Sequence, residues 1–339
     1  MIKIEEKISL RNLNTFGVEA VAERFAVIRR ETDLDELRRD GAADSIGLIL
    51  GGGSNVLLLS DIPGLTLLNR LEGIRVEAET GDRVLISAMA GVIWHDLVLW
   101  TLRHNYGGLE NLSLIPGTAG AAPIQNIGAY GVELKMVFEK LEAFEFKTGK
   151  RVTFNAAECR FGYRDSIFKH MDRNRFLITR IWLSLSKKNH QLHLEYGAIR
   201  QMLSENGITH PTVQDVSRAV TAIRQSKLPD PEKIGNAGSF FKNPEVTVAE
   251  AERLKAAFPE LVHYPGADGR IKLSAGWLIE QCGWKGRRVG DAGCYDKQAL
   301  VLVNWADAVG EDILALSTMI RRDVRAKFGV DLQPEINIV

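Results

Sequence analysis

Two segments of this chain carry chemistry in their composition. The first is Gly51-Gly52-Gly53-Ser54-Asn55. Consecutive glycines let the main chain turn several N–H groups toward one anion, and Ser54 and Asn55 add side-chain donors, so the run suits a pyrophosphate. A bare glycine turn fits about as well, because the run is neither a GxGxxG fingerprint opening a helix nor a P-loop with its lysine. The second segment runs from Pro116 to Gly131 and contains Gly117, Thr118, Gly120, Ala122, Gln125, Asn126, Gly128 and Tyr130. Small residues allow main chain to approach a planar ligand, and the peptide N–H groups with two side-chain amides serve heteroatoms along its edge. A tightly packed structural turn is the competing reading. His170, His190 and His193 show no spacing that would activate a serine or cysteine nucleophile. Cys159, Cys282 and Cys294 form no CxxC pair, which argues against zinc, a redox dithiol or a disulfide framework and points to a reducing, cytoplasmic compartment.

The elements that must position these segments read as follows. Residues 45–50 form an apolar strand entering the glycine run, and residues 56–59 form a second strand leaving it. Upstream, Thr32 and Asp35 suggest a capping box for a helix over 33–40 that Gly41 stops, giving a βαβ unit. A strand over 83–89, an amphipathic helix over 94–105 ended by Gly107 and Gly108, a hairpin within 144–154 around Thr148-Gly149 and a strand over 175–185 follow. Residues 114–131 are too apolar for an ordinary surface loop and are expected to lie against something large and flat. Thr212 caps a helix reaching about 224, and Lys227-Leu228-Pro229-Asp230-Pro231 marks a boundary, since two close prolines disfavour helix and central strand. Helices over 247–258, 274–282 and 311–328 and a strand over 299–304 make a smaller α+β unit. The extended tail is expected to pair with an earlier sheet.

Composition bounds the rest. The chain has 339 residues, 45% of them hydrophobic, which permits two or three domains with a sizeable core. Its 43 basic and 43 acidic side chains cancel, so no electrostatic excess drives binding to nucleic acid or an anionic membrane. Residues 1–10 lack the apolar core of a secretory signal, and no apolar stretch approaches the ~20 residues that span a bilayer.

Six motifs then occur in one order: Asn14-Thr15-Phe16-Gly17, residues 51–55, residues 115–131, Phe161-Gly162-Tyr163-Arg164-Asp165-Ser166, Asn236-Ala237-Gly238-Ser239-Phe240-Phe241-Lys242-Asn243-Pro244, and Pro334-Glu335. Together they cover nearly the whole chain, and the set resembles the UDP-N-acetylenolpyruvoylglucosamine reductase (MurB-type) family. The resemblance implies an α+β fold: a two-lobed FAD-binding domain of the vanillyl-alcohol-oxidase (PCMH) class plus a smaller α+β substrate-binding domain. The lobes would be residues 1–70, joined by the tail 330–339, and 71–226, with residues 227–329 for substrate. It implies a cytoplasmic enzyme of peptidoglycan precursor synthesis that uses NADPH to reduce FAD. A hydride then passes to the β-carbon of UDP-N-acetylglucosamine enolpyruvate, giving UDP-N-acetylmuramate.

By the same resemblance, Gly51, Gly52, Gly53, Ser54, Asn55, Pro116, Gly117, Thr118, Gly120, Ala122, Gln125, Asn126, Gly128 and Tyr130 hold FAD. Tyr196, Lys227, Asn243, Tyr264, Lys272, Lys285 and Gln298 hold the UDP-sugar, although surface lysines are ordinarily just solvated. A loop bearing Tyr196 is expected to close on the nucleotide. Arg164 would meet the enolate that develops after hydride transfer with its planar fork, or else serve as a structural arginine paired with Asp165. Ser239 would protonate the α-carbon, a weak acid being adequate against so basic a carbon; the alternative is a turn serine. Glu335 would repel an enolate unless it keeps a proton, so its role requires burial. No metal, nucleic acid or membrane partner is implied, and a monomer is the expectation. Two other classes remain: an FAD-dependent oxidase of the same fold, and a non-catalytic nucleotide-sugar binding protein.

Overall fold

The computed structural model describes residues 2–171 and 174–339. They form two compact units. The first comprises Met1–Ile8, Ala22–Gly52 and Ile62–Ser226; the second comprises Ser9–Val21, Gly53–Asp61 and Lys227–Val339.

The first unit contains a four-stranded sheet in the order Ile4–Ser9, Val21–Ile28, Ile62–Asn69, Ile46–Leu50. The last three strands run parallel, with Ile62–Asn69 inserted between the two that helix Glu31–Arg39 connects. Leu34 and Leu37 face inward from that helix onto Ala26, Ile28, Leu65 and Leu67. Its start corrects the expected Thr32/Asp35 box. Asp33, not Asp35, accepts the N–H groups of Arg29 (3.0 Å) and Arg30 (2.9 Å), while Asp35 turns outward to Arg151 at 2.8 Å. Burial alone would raise the Asp33 carboxyl, but these N–H groups and the Arg30 guanidinium outweigh it and hold the pKa below the usual aspartate value. Gly41 follows in the left-handed region at φ 69°, where a glycine ends a helix without strain.

A five-stranded antiparallel sheet completes this unit in the order Lys150–Asn155, Phe138–Glu145, Phe176–Ser186, Arg83–Met89, Ile74–Thr80. Alternation along Phe176–Ser186 buries Leu177, Thr179, Ile181, Leu183 and Leu185. Helix Trp94–Arg103 adds Trp94, Leu97, Val98 and Leu102 to the same core, which also takes Ala119, Ala122 and Ile127 from the Gly/Ala-rich segment. That segment is therefore part of the core wall, as its apolarity required. Helices Gly197–Glu205 and Val213–Lys227 pack together through Ile199, Leu203, Val216, Val220 and Ile223, with Tyr130 against them. Thr212 and Asp215 cap the longer helix reciprocally, at 2.8 and 3.2 Å.

The second unit carries an antiparallel sheet ordered Gly235–Ser239, Val301–Asn304, Ala292–Cys294, Arg288–Val289, and a three-stranded sheet ordered Glu245–Val246, Ile271–Leu273, His263–Pro265. Helices Val248–Ala257, Ala275–Gln281 and Gly310–Phe328 belong to it. The strand expected after the glycine run is the short Val56–Leu57, which pairs in parallel with Asn337–Ile338 of the tail. Among the described residues no helix is long and apolar enough to cross a membrane.

Candidate active site

The two chemistry-bearing segments meet within the first unit. A Cβ on Gly51 would stand 2.5 Å from Thr118 Oγ1, and one on Gly52 would stand 2.8 Å from Gly117 Cα. Both are closer than side chains tolerate, so these two positions need glycine for the close approach of main chain. Arg70 Nη1 donates to the Gly51 carbonyl at 3.0 Å, and burial lowers the Arg70 pKa. On the other side the segment is fixed to residues 90–94: Ala119 N–H donates to Val92 O (2.8 Å), Gly120 N–H to Ala90 O (2.9 Å), and Trp94 N–H to Gly117 O (3.0 Å). On this segment Pro116 is exposed and Gln125 and Gly128 are part-exposed, whereas Ala122 and Asn126 are buried. The Asn126 amide donates to Gly162 O (3.0 Å) and accepts from Lys135 N–H (3.0 Å), so it braces the segment from within. Gly53, Ser54 and Asn55 belong to the second unit, where the Gly53 carbonyl accepts from Thr15 N–H at 3.0 Å.

Arg164 sits at a turn closed by Gly162 and Asp165, in the left-handed region at φ 52°. Its Nη2 donates to Gly128 O at 2.5 Å, tying the fork to the Gly/Ala-rich segment. Asp165 does not take it: that carboxylate pairs with His170 Nε2 at 2.8 Å. Tyr130 also lies in the left-handed region and meets Tyr196 edge-to-face at 5.0 Å between ring centroids. Tyr196 is 42% exposed and stands immediately before helix Gly197–Glu205, an element that sequence reasoning did not assign. Asn111, fully enclosed, donates to both Tyr130 O (3.0 Å) and His193 O (2.9 Å), joining the two tyrosine-bearing stretches.

Ser239 and Glu335 belong to the second unit. A bulge at Gly238, φ 70°, separates the Asn236 and Ser239 pairings with Val303 and Val301 and re-aims the serine. Asn236 supports it by accepting Gly238 N–H at 3.0 Å. Phe240 and Phe241 are buried against each other beneath it, 5.0 Å apart. Glu335 N–H donates to Phe240 O at 2.8 Å, and Phe241 bridges Pro334, so Glu335 lies on main chain paired to the residue next to Ser239. The tail beyond is secured: Asn337 N–H reaches Asn55 O (3.0 Å), and Leu57 O accepts from Val339 N–H (2.9 Å).

The remaining candidates of this unit fall in three places. Tyr264 and Lys272 are cross-strand partners in the three-stranded sheet, with Lys272 Nζ 4.0 Å from Glu245. Asn243 Oδ1 accepts Ala275 N–H (2.9 Å) at the start of helix Ala275–Gln281, and Gln298 Oε1 would lie 3.1 Å from a Cβ on Gly276 of that helix. Lys285 pairs with Glu280 at 2.9 Å, and Lys227 is exposed at the end of helix Val213–Lys227.

Sequence reasoning passed over Arg224. Its Nε is sealed from solvent without a hydrogen-bond partner, and burial pushes the guanidinium pKa down, with Tyr130 and Arg164 acting on it. The signal was available: Arg224 follows Val220 by four and Ser217 by seven, which places a charge on the helix's apolar stripe.

A parallel sheet joined to an antiparallel one, with glycine runs held against small-residue main chain, is the architecture of an FAD-binding oxidoreductase. Residues 26–155 match the family model described as an FAD binding domain, and residues 230–339 match that of the UDP-N-acetylenolpyruvoylglucosamine reductase C-terminal domain. The chain is 51% identical over 340 residues to the UDP-N-acetylenolpyruvoylglucosamine reductase of Pseudomonas aeruginosa, covering 99% of each. It is 46% identical to that of Flavobacterium johnsoniae, covering all of both chains. The solved reductase structure from Thermus caldophilus superposes with a TM-score of 0.69 at 24% identity, covering 100% of this chain and 99% of that one, which speaks to the fold. The chain belongs to the UDP-N-acetylenolpyruvoylglucosamine reductase family.

Proposed function

We propose that Arg164, Ser239 and Glu335 carry the chemical step of a reaction in which UDP-N-acetylglucosamine enolpyruvate is reduced to UDP-N-acetylmuramate for peptidoglycan synthesis. The protein is an FAD-containing, NADPH-dependent oxidoreductase. When bound, FAD takes a hydride from NADPH and delivers it to the enolpyruvyl β-carbon. The protein's own residues then deal with the charge left at the α-carbon and carboxylate. Arg164, its fork oriented by Gly128 O, meets that charge; Ser239 Oγ gives the proton that completes the α-carbon; Glu335, protonated, shares a hydrogen bond with the developing enolate.

The main-chain bond from Glu335 to Phe240, beside Ser239, is the observation that carries this reading. Ser239 ends strand Gly235–Ser239, and the main chain of Glu335 is tied to the residue that follows it. The tight seat of Gly51 and Gly52 against Gly117 and Thr118, with the Arg70 guanidinium on the Gly51 carbonyl, fits a large anionic cofactor. Gly53, Ser54, Asn55, Pro116, Gly120, Ala122, Gln125, Asn126, Gly128 and Tyr130 would complete its seat. Tyr196, Lys227, Asn243, Tyr264, Lys272, Lys285 and Gln298 would take the diphosphate, uracil and sugar. In domain terms residues 1–70 and 71–226 hold the flavin and 227–329 the nucleotide sugar. We infer a cytoplasmic monomer with no nucleic-acid or membrane partner.

Separating the half-reactions tests the assignment. Ser239→Ala should leave reduction of the flavin by NADPH nearly intact, while its reoxidation by UDP-N-acetylglucosamine enolpyruvate slows by at least about a hundredfold in stopped flow. Equal loss in both halves would remove Ser239 from the proton-transfer role.

A further inference from the structure

Arg224 is a buried cation without a counter-charge. It lies on the face of helix Val213–Lys227 that buries Val213, Val216, Ser217, Val220 and Ile223. Its Nε has no partner, and among the described residues neither a carboxylate nor a carbonyl takes the guanidinium. Leaving a buried polar group unsatisfied costs about 1–3 kcal/mol, more when it is charged, so packing alone does not account for an arginine at this position. The residue as a whole is half-buried.

The groups around Arg224 belong to both ends of the Gly/Ala-rich segment. At its start, His95 Nδ1 accepts Leu114 N–H at 2.9 Å, and the imidazole pKa is pushed down by burial and, less strongly, by Arg224. At its end, the Tyr130 hydroxyl, whose pKa partial burial raises, acts on Arg224 in turn. Arg164, held to Gly128 of the same segment, adds a second positive charge that disfavours the first. Arg164 is bonded to the segment read above as the flavin's seat, and the helix that carries Arg224 packs against Tyr130 of the same segment, so an anion there relieves the repulsion between the two guanidiniums.

Reduction by NADPH supplies one: the ring accepts a hydride, two electrons and one proton, NADP⁺ leaves, and the ring gains one negative charge. We propose that Arg224 neutralises the charge that the flavin ring gains on reduction and thereby raises its midpoint potential. The inference rests on the reading that residues 115–131 seat the flavin.

Potentiometry on the substrate-free holoenzyme tests it. In the native protein the midpoint potential should fall by about 30 mV per pH unit across the neutral range, the slope for one proton taken up per two electrons. A slope of about 59 mV, two protons per two electrons, would mean that no anionic ring is being stabilised and overturns the proposal. Arg224→Gln should lower the equilibrium constant for flavin reduction about tenfold, about 30 mV for this two-electron couple, with Arg224→Lys recovering most of it. An unshifted potential in Arg224→Gln together with weaker binding of UDP to the oxidised enzyme assigns the guanidinium to the substrate and overturns the proposal. If Arg224→Gln does not retain FAD, the native slope decides. Should the reading of residues 115–131 be at fault instead, disrupting that seat at Gly52 would leave the flavin content intact.

Discussion

Glu110 shows how one side chain writes a pH dependence into this fold. It is 1% exposed, and its Oε2 accepts Gly108 N–H at 2.6 Å. Burial raises its carboxyl above the usual glutamate range, and the N–H bonds, His190 and His193 offset this only in part. Because the folded state holds the proton more tightly than the unfolded chain does, stability is greatest below about pH 4.3 as far as this group is concerned, and is lost as pH rises through the folded value. Glu110→Gln keeps an acceptor for Gly108 and removes the charge. Thermal melts should show a higher Tm at neutral pH and a flatter profile above the ordinary glutamate range; an unchanged neutral Tm would show that the carboxylate is not penalised. Residues of this kind differ in how openly the sequence announces them. Ser239 and Glu335 each sit in a short motif in a fixed order, which is what singled them out, whereas Arg224 entered the sequence reading only as the end of a helix, its position on the apolar stripe unremarked.

At the scale of elements, local rules carried the reading where the stabilising partners are local. Thr247 with Glu250 and Ser274 with Trp277 N–H cap helices within one turn, and those helices lie within a residue of where spacing placed them. The first helix was shifted because its cap partner is an arginine main chain, Arg30, and the polar pair two residues later looks the same in sequence. The tail was expected to pair with an earlier sheet, but that its partner would be Val56–Leu57, in parallel, was beyond reach: two residues carry no periodicity, and the partner lies at the far end of the chain. The packing of glycine run on small-residue segment yields a sharp test. Gly52→Val puts Cβ 2.8 Å from Gly117 Cα, main chain against main chain, so the two must part, at a cost of about 1–3 kcal/mol. The purified variant should lose most of its flavin absorbance relative to protein absorbance, and a full complement of FAD would mean that this contact does not form the cofactor's seat.

Considered whole, the chain is legible in its class and not in its weave. Six ordered motifs sufficed for the fold class because they are spread over both units. What they did not disclose is that the second unit is assembled from three stretches, Ser9–Val21, Gly53–Asp61 and Lys227–Val339. Asn14 is the pin of the first stretch: its amide donates to Leu10 O (2.8 Å) and Val18 O (2.9 Å), while Asn304 reaches Phe16 O at 3.0 Å from the third.

The parallel pairing of Asn337–Ile338 with Val56–Leu57 has a consequence in time. Loop-closure entropy rises slowly with length, about 0.6 kcal/mol per doubling, so the equilibrium cost of so distant a contact is modest, but contacts of large sequence separation form late. Glu335 is secured by that pairing and its flanking bonds, so its station belongs to the last stage of folding. During refolding, helical circular dichroism should return before UDP-N-acetylglucosamine enolpyruvate can reoxidise the flavin, and simultaneous recovery would place the tail among the early contacts. A nascent copy of this protein therefore passes through a stage that has its backbone structure and lacks its chemistry.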